Sequence, residues 1–180
     1  MCGPRTWVNP PTDGLGTPPN AREYTTNIPL NVGRLKVHVR DLVGHQRVIT
    51  VGPQDEVASA VRLLFDYNIG GMPVVAPDGS VVGFIGERDI VKTMNSHLTP
   101  IRHLLVRDAM RPAAFCDPDD SVEAVMQKMT DERVRHLVVR ENGRVLGVVS
   151  VGDMVKYRLS QLETETAVLR DYLAAQRASR

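Results

Sequence analysis

The chain has 180 residues, of which 42% are hydrophobic and 24% charged, and its formal net charge is +1. This balance provides no basic surface for nucleic acid or an anionic membrane, so we expect neither as a partner. The apolar runs are too short for a membrane span, and the start of the chain is unlike a signal peptide, so we expect a cytoplasmic protein. There are only two cysteines, so we expect no disulfide framework.

Residues 1–33 are rich in proline and glycine. Such a stretch buries too little apolar surface to offset the entropy lost on ordering, so we predict a flexible arm. The start Met1-Cys2-Gly3 resembles that of amidotransferases with an N-terminal cysteine nucleophile, but no partner motif follows it. We therefore predict no catalytic residue. The histidines show no helical pairing with a carboxylate, so we predict no metal site either.

From Val39 onward the chain contains an internal repeat. The run Val39–Asp41 recurs as Val106–Asp108, and Asp89 recurs as Asp153. A long segment that occurs twice indicates two copies of one supersecondary unit that share a core. The order predicted for each copy is β-α-β-β-α.

The elements of each copy follow from apolar spacing and turn residues. Apolar positions at i, i+4 and i+7 predict one buried stripe on each first helix. Asp-Gly and Asn-Gly between apolar runs predict hairpins, and we expect Asp55 and Asp119 to cap the first helices. The predicted elements are strands Val48–Val51 and Ala114–Cys116, helices from Val57 and Val122, hairpins Met72–Ile85 and Leu137–Val149, and closing helices from Asp89 and Asp153.

These elements predict five segments. They are the arm at 1–33, a first domain at 34–95, a linker at 96–105, a second domain at 106–157 and a helical extension at 158–180. We expect Leu104 of the linker to pack under the second copy.

The extension carries its own pattern. Apolar residues recur at alternating steps of four and three, with one polar position, which is typical of a heptad seam. An amphipathic helix lying on its own domain would also fit, but the helix outruns its repeat, so we expect it to contact a second subunit. The seam comprises Val155, Leu159, Leu162, Thr166, Leu169 and Leu173.

The two copies resemble a tandem pair of CBS domains, also called a Bateman module. The resemblance rests on Gly70–Val75, on Asp78–Gly83 with Arg88–Ile90, and on Gly143–Ser150 with Asp153, in order and in register. The chain is similar to small stand-alone bacterial members that end in a helix. The family implies an α/β fold in which two β-α-β-β-α repeats pack with pseudo-twofold symmetry, here with an extended C-terminal helix.

The resemblance implies a non-enzymatic regulatory or sensor module with one adenosine-nucleotide site per repeat, in the cleft between the copies. AMP is the first choice, and ADP, ATP, NAD and S-adenosylmethionine are the others. The family pattern Gly-x-x-Ser/Thr-x-x-Asp contacts ribose and phosphate. A carboxylate can accept from both ribose hydroxyls, and a helix N-terminus presents unpaired N–H groups to phosphate. Ser150 and Asp153 fit this pattern, although Ser-x-x-Asp also forms a capping box that needs no ligand.

The copies differ at the implied site. Gly86 stands where the second copy has Ser150, although Asp89 is retained, and Phe115 replaces Thr50, which matches a family ligand position. We therefore expect unequal occupancy, with the second copy favoured. The full predicted nucleotide-binding set is Thr50, Gly71, Met72, Pro73, Arg88, Asp89, Arg135, His136, Leu137, Val138, Ser150, Gly152 and Asp153.

Some members of this set have a specific predicted role. Arg135 would pair with phosphate, and titration of His136 near neutrality would make binding depend on pH. The alternative function is a ligand-independent dimerisation or interaction module. In either case we expect a homodimer through the CBS faces and the C-terminal helix, and an unidentified protein target.

Overall fold

The computed structural model describes residues 37–44, 47–96 and 103–178. The predicted arm and the Met1-Cys2-Gly3 motif lie outside these residues. The elements in chain order are α1 (Val39–Val43), α2 (Val57–Asp66), β1 (Gly71–Val75), β2 (Val81–Gly86), α3 (Glu87–Ser96), α4 (Val106–Ala109), β3 (Phe115–Cys116), α5 (Val122–Asp131), β4 (His136–Glu141), β5 (Arg144–Ser150) and α6 (Val151–Ala178).

Both predicted hairpins are confirmed. β1 pairs with β2 and β4 pairs with β5, each antiparallel. The second turn has positive φ at Asn142 (50°) and Gly143 (79°), a backbone conformation that Asn-Gly accommodates with little strain. In the first turn the Asp78 carboxylate accepts the Ser80 N–H at 2.9 Å and the Ser80 hydroxyl at 2.7 Å.

The predicted strand Val48–Val51 is wrong in extent, because only Val51 pairs, as a single parallel bridge to Val74. In the second copy β3 runs parallel to β4, and Val138 donates its N–H to the Ala114 carbonyl at 2.8 Å. The first-copy counterpart of Val138 is Pro73, which has no N–H to donate. In the first copy the parallel pairing at Val51 therefore cannot extend back toward Val48.

The predicted caps at Asp55 and Asp119 are also wrong. The Asp55 carboxylate accepts the N–H of Gly52 at 2.7 Å, within the loop that precedes α2. The Asp119 carboxylate pairs with Arg40 at 2.6 Å. The cap of α5 is Ser121, which directly precedes the helix and accepts an N–H of its first turn at 3.2 Å.

The core of each copy is completed by the leading helix of the other copy. Helix α1, the leading helix of the first copy, packs among second-copy residues such as Val125 and Leu137, and its Leu42 is 1% exposed. Helix α4 packs with the first copy instead, together with Leu104. The expectation that Leu104 packs under the second copy is therefore wrong.

Backbone hydrogen bonds fix this exchange. Val122, at the start of α5, donates its N–H to the Val37 carbonyl at 3.1 Å, and Val39 donates to the Asp120 carbonyl at 3.0 Å. The first N–H groups of a helix lack partners within it, so the foreign segment satisfies them. The equivalent bonds in the other direction run from Val57 to Leu104 and from Val106 to Asp55, each at 2.9 Å.

A third apolar cluster joins the two copies. Phe84 of the first copy packs with Val138 and Val145 of the second, and Phe115 and Val148 lie against them. Together with the reciprocal exchange, this contact makes the two copies one α/β unit, as the repeat predicted. The predicted element order holds in both copies apart from the shortened first strand.

Helix α6 has two faces. Met154 and Tyr157 are buried in the second copy's core, whereas Leu159 and Leu169 on another side are exposed. Neither α6 nor any other helix in the described residues has the length and apolarity needed to cross a membrane.

Leu42→Ala should lower the free energy of unfolding by about 2–5 kcal/mol, because it leaves a cavity in the core of the opposite copy. Urea denaturation would measure the change. Val91→Ala on α3, where the valine is 64% exposed, is the control and should cost less than about 0.5 kcal/mol. Equal effects of the two substitutions would show that α1 does not complete that core.

Candidate functional site

The second strand–helix junction lies where β5 ends and α6 begins. Asp153 Oδ2 accepts the Ser150 N–H at 2.8 Å and the Ser150 hydroxyl at 2.7 Å, while Ser150 Oγ accepts the Asp153 N–H at 3.3 Å. This reciprocal pair is a capping box with aspartate at its third position. The structure thus contains the cap that the sequence allowed, at the residues that the family pattern assigns to ribose and phosphate.

The first junction is built differently. Asp89 Oδ2 accepts the Gly86 N–H at 3.0 Å and the Arg111 Nε–H at 3.2 Å. The side chains of Arg111 and Asp89 are 32% and 19% exposed, so water screens this ion pair only in part. Arg111 also exchanges two backbone hydrogen bonds with Phe84, at 2.9 and 3.0 Å. These bonds hold the guanidinium beside the carboxylate.

Gly86 has no room for the hydroxyl-bearing side chain of the family pattern. A Cβ at this position would lie 2.9 Å from the Gly70 carbonyl oxygen, closer than such atoms approach. A serine here would therefore require the backbone to shift. Close packing of Gly86 against the Gly70 carbonyl therefore explains why the first junction has no hydroxyl side chain.

An aromatic ring links the two copies between the junctions. The rings of Phe84 and His136 stack with centroids 5.3 Å apart and planes 27° apart. The Arg111 guanidinium carbon lies 5.0 Å from the centroid of Phe84, a distance at which cation–π attraction operates. Gly71 makes room for this ring, because a Cβ there would lie 2.8 Å from Phe84 Cζ.

His136 lies within electrostatic reach of both junctions. Burial lowers its pKa from the usual 6.5, and the positive charge of Arg111 lowers it further, while Asp153 and Asp89 act in the opposite direction. The imidazole is consequently neutral at pH 7. Its titration lies at more acidic pH than the near-neutral value expected from the sequence.

The other predicted residues fall into two groups. The buried ones lie on β1, on β4 or just before the Val51 bridge; they are Thr50, Gly71, Met72, Pro73, Leu137 and Val138. The exposed ones are Arg88 and Gly152, in the first turns of α3 and α6, and Arg135, which directly precedes β4. The side chains of Leu137 and Val138 lie in apolar clusters, and their strand β4 pairs with β3 on one side and β5 on the other.

Sequence reasoning missed Arg111 and the role of Phe84. Phe84 offered one signal, since it is aromatic where the second copy has Val148. Arg111 offered none, because its contact with Asp89 joins residues 22 positions apart. Phe115, the counterpart of Thr50, is held by Arg140, whose guanidinium carbon lies 4.2 Å from the centroid of its ring.

A separate groove of about 380 Å³ lies between α5 and α6. Its lining includes Met126 and Thr130 of α5 and Tyr157 and Gln161 of α6, and none of its lining residues belongs to either junction. The groove is therefore separate from the two junctions.

Comparison with known sequences supplies the family context. The sequence signature of the CBS domain matches residues 39–96 and 106–160. The chain spans 22%, 60% and 66% of the length of three curated relatives, to which it is 31%, 30% and 28% identical.

Solved structures share the fold. The CBS-domain containing protein ATU1752 of Agrobacterium tumefaciens is 34% identical and superposes with a TM-score of 0.65 over 71% of this chain and 98% of its own. The CBS domain pair of protein MJ0100, in complex with 5′-methylthioadenosine and S-adenosyl-L-methionine, is 22% identical, with a TM-score of 0.64 over 71% of this chain and 99% of its own. CBSX2 in complex with AMP is 20% identical, with a TM-score of 0.55 over 62% of this chain and 88% of its own.

Stability should depend on the titration of His136. A pKa lowered in the folded state means that the unfolded chain binds the proton at higher pH, so the free energy of unfolding should fall as pH falls through 6.5. His136→Asn should reduce this fall between about pH 7.5 and about pH 5.5, a window around the usual histidine value. Urea denaturation across the window would measure it.

Val82→Ala is the control, since this side chain is exposed and carries no titratable group, so it should leave the pH dependence of unfolding unchanged. An equal pH dependence in the His136→Asn variant and the parent would contradict the assignment.

Proposed function

The chain belongs to the CBS-domain family, and from this we propose that it is a non-enzymatic regulatory protein that binds an adenosine nucleotide between its repeats. The observation that supports this most directly is the position of Asp89 and Asp153. Each carboxylate lies in the first turn of a helix that follows a hairpin, and the charges of both act on His136.

At the second junction, ligand binding would exchange one hydrogen-bond partner for another. Asp153 already accepts a hydroxyl hydrogen bond from Ser150 at 2.7 Å, and a ribose hydroxyl can take that place. Rotation of the Ser150 hydroxyl would then direct its donor toward phosphate at the start of α6, where the helix dipole also favours an anion. The exposed Arg135 precedes β4 and would supply a guanidinium to the phosphate.

The first junction is the weaker site in this proposal. A ribose there would have to compete with the Arg111 guanidinium for Asp89. No hydroxyl is available at Gly86, where the Gly70 carbonyl leaves no space for a side chain. We therefore propose unequal occupancy, with the second junction filled first.

AMP is the first proposed ligand, with ADP, ATP, NAD and S-adenosylmethionine as further candidates. The neighbours crystallised with ligands hold AMP, 5′-methylthioadenosine and S-adenosyl-L-methionine. These molecules share an adenosine group, which supports that chemical class for this chain as well.

The proposed output is a change in assembly. A ligand that contacts both repeats favours the arrangement of repeats to which it binds more tightly. Helix α6 begins directly after Ser150, so it would follow any change at that junction. We propose that the protein forms a homodimer through the surfaces of its CBS repeats and through α6. We also propose that this dimer acts on a separate protein target.

One observation favours a ligand-independent dimerisation module as the second candidate function. The first junction holds its carboxylate with a guanidinium from its own chain. If the carboxylates at both junctions stay bound to groups of the same chain, the protein would dimerise without a nucleotide.

A titration separates the two functions. Calorimetry and thermal unfolding with AMP, ADP, ATP, NAD and S-adenosylmethionine should show binding of at least one of them. A ligand at 100 times its Kd should raise the free energy of unfolding by about 2.7 kcal/mol. No response to any of the five would leave the ligand-independent module as the function.

Substitution of the two carboxylates tests the ranking of the junctions. Asp153→Ala should raise the nucleotide Kd by about tenfold or more, because a hydrogen bond to a charged acceptor contributes about 1.5–3 kcal/mol. Asp89→Ala should raise it less than about threefold, since Arg111 already engages Asp89. Asp66→Ala, at the exposed end of α2, is the control. Equal losses from Asp89→Ala and Asp153→Ala would refute the ranking.

A further inference from the structure

Helix α6 carries an apolar stripe that is exposed among the residues that the structure describes. Val155, Leu159, Leu162, Leu169 and Leu173 are each between 45% and 63% exposed. They continue the predicted heptad seam, and the fifth is separated from the first by about five turns of helix.

The stripe lies on the far side of the helix from the body of the protein. Met154 and Tyr157 are buried, and Gln161 follows them on the same face, where it donates to the Tyr157 hydroxyl at 2.6 Å. At about 100° per residue, the centre of the apolar stripe is about 125° around the helix from this buried face. The part of the body that the structure describes therefore leaves the stripe exposed, and a second subunit can approach it from outside.

Thr166 is the polar position within the seam. Its hydroxyl donates to the Leu162 carbonyl of the preceding turn at 2.7 Å. A buried donor without a partner would be costly, but this one is already satisfied. The threonine is therefore compatible with burial in a helix–helix contact.

The flanking charges select the orientation of the partner. With Leu159 and Thr166 at heptad position a, Arg158 and Glu165 take position g, and Glu163 and Arg170 take position e. In a parallel pair, a g residue lies beside the e residue of the partner's next heptad. Arg158 then meets the partner's Glu163, and Glu165 meets the partner's Arg170, so both contacts are attractive.

An antiparallel pair with the same overlap would be repulsive. Position e would then face e, and g would face g. Glu163 would meet the partner's Glu163, Glu165 would meet the partner's Glu165, and Lys156 would meet the partner's Arg170. All these contacts join like charges, which cost stability when they are held together.

We propose that α6 pairs with α6 of a second copy as a parallel, in-register, two-stranded coiled coil along the seam from Val155 to Leu173. This rests on the homodimer proposed above and specifies its helical contact. The two α6 helices would emerge side by side from their bodies, with both N-termini at the same end.

Cysteine cross-linking tests the orientation. In a parallel pair identical a positions face each other, so Thr166→Cys and Leu173→Cys should each form an intersubunit disulfide on mild oxidation. In the antiparallel pair each of these positions faces a d position, so neither should cross-link. The parent for both variants is Cys2→Ser. Cys116 is buried, and burial raises the pKa of its thiol to about 12, so it should remain reduced.

A charge exchange tests the register. Glu165→Arg alone should raise the dimer Kd by about tenfold, since it replaces attraction by repulsion on both sides of the dimer. Adding Arg170→Glu should restore the dimer Kd to within about threefold of the parent, because opposite charges meet again. Residues five apart are not neighbours on one helix, so rescue would report a contact between subunits. Sedimentation equilibrium measures each Kd.

The outcomes separate this inference from the rest of the proposal. A parent that is monomeric at all concentrations overturns both the coiled coil and the homodimer. A dimer that neither cysteine cross-links overturns the coiled coil and leaves the CBS faces as the interface. Nucleotide affinity of the Glu165→Arg variant, measured at a protein concentration that keeps it dimeric, should match that of the parent, because residue 165 lies about 22 Å along the helix from Ser150.

Discussion

The structure depends on the pairing of each leading segment with the first helix of the opposite copy. A helix begins with N–H groups that have no partner within it, and buried N–H groups need one. Here the carbonyl of Leu104 accepts from Val57, and the carbonyl of Val37 accepts from Val122. Each copy thus supplies both apolar side chains and backbone acceptors that the other copy lacks. The two repeats are consecutive in sequence but inseparable in packing.

This shared frame holds two junctions at which a strand runs directly into a helix, and their side-chain chemistry differs. In the second, Ser150 and Asp153 satisfy each other through three hydrogen bonds within one turn. In the first, Asp89 accepts hydrogen bonds from the Gly86 N–H and from Arg111, which follows α4 of the second copy. The difference follows from packing, because Gly86 lies too close to the Gly70 carbonyl to carry a side chain. Symmetry of the fold therefore does not extend to the chemistry of the site.

Local features were predictable from the sequence, and long-range ones were not. The Asn142-Gly143 turn and the hairpins follow from residues close in the chain. The shortened strand at Val51 required knowing that Pro73 would be its neighbour, which depends on register. The cap of α5 is a local feature, since Ser121 directly precedes Val122, whereas the contact of Asp119 with Arg40 joins residues 79 positions apart. The exchange of α1 and α4 and the Arg111–Asp89 contact also join residues that are far apart in the chain, so the sequence did not predict them.

The length of helix α6 would amplify a small tilt at the second junction. Its 28 residues begin one position after Ser150, and at 1.5 Å per residue the helix is about 42 Å long. Near its start, buried Met154 and Tyr157 clamp it to the body. A tilt of about 5° at that clamp would move the far end of a rod of this length by about 4 Å. A tilt too small to alter the packing around Ser150 would thus displace the C-terminal end of α6 by about the width of a side chain.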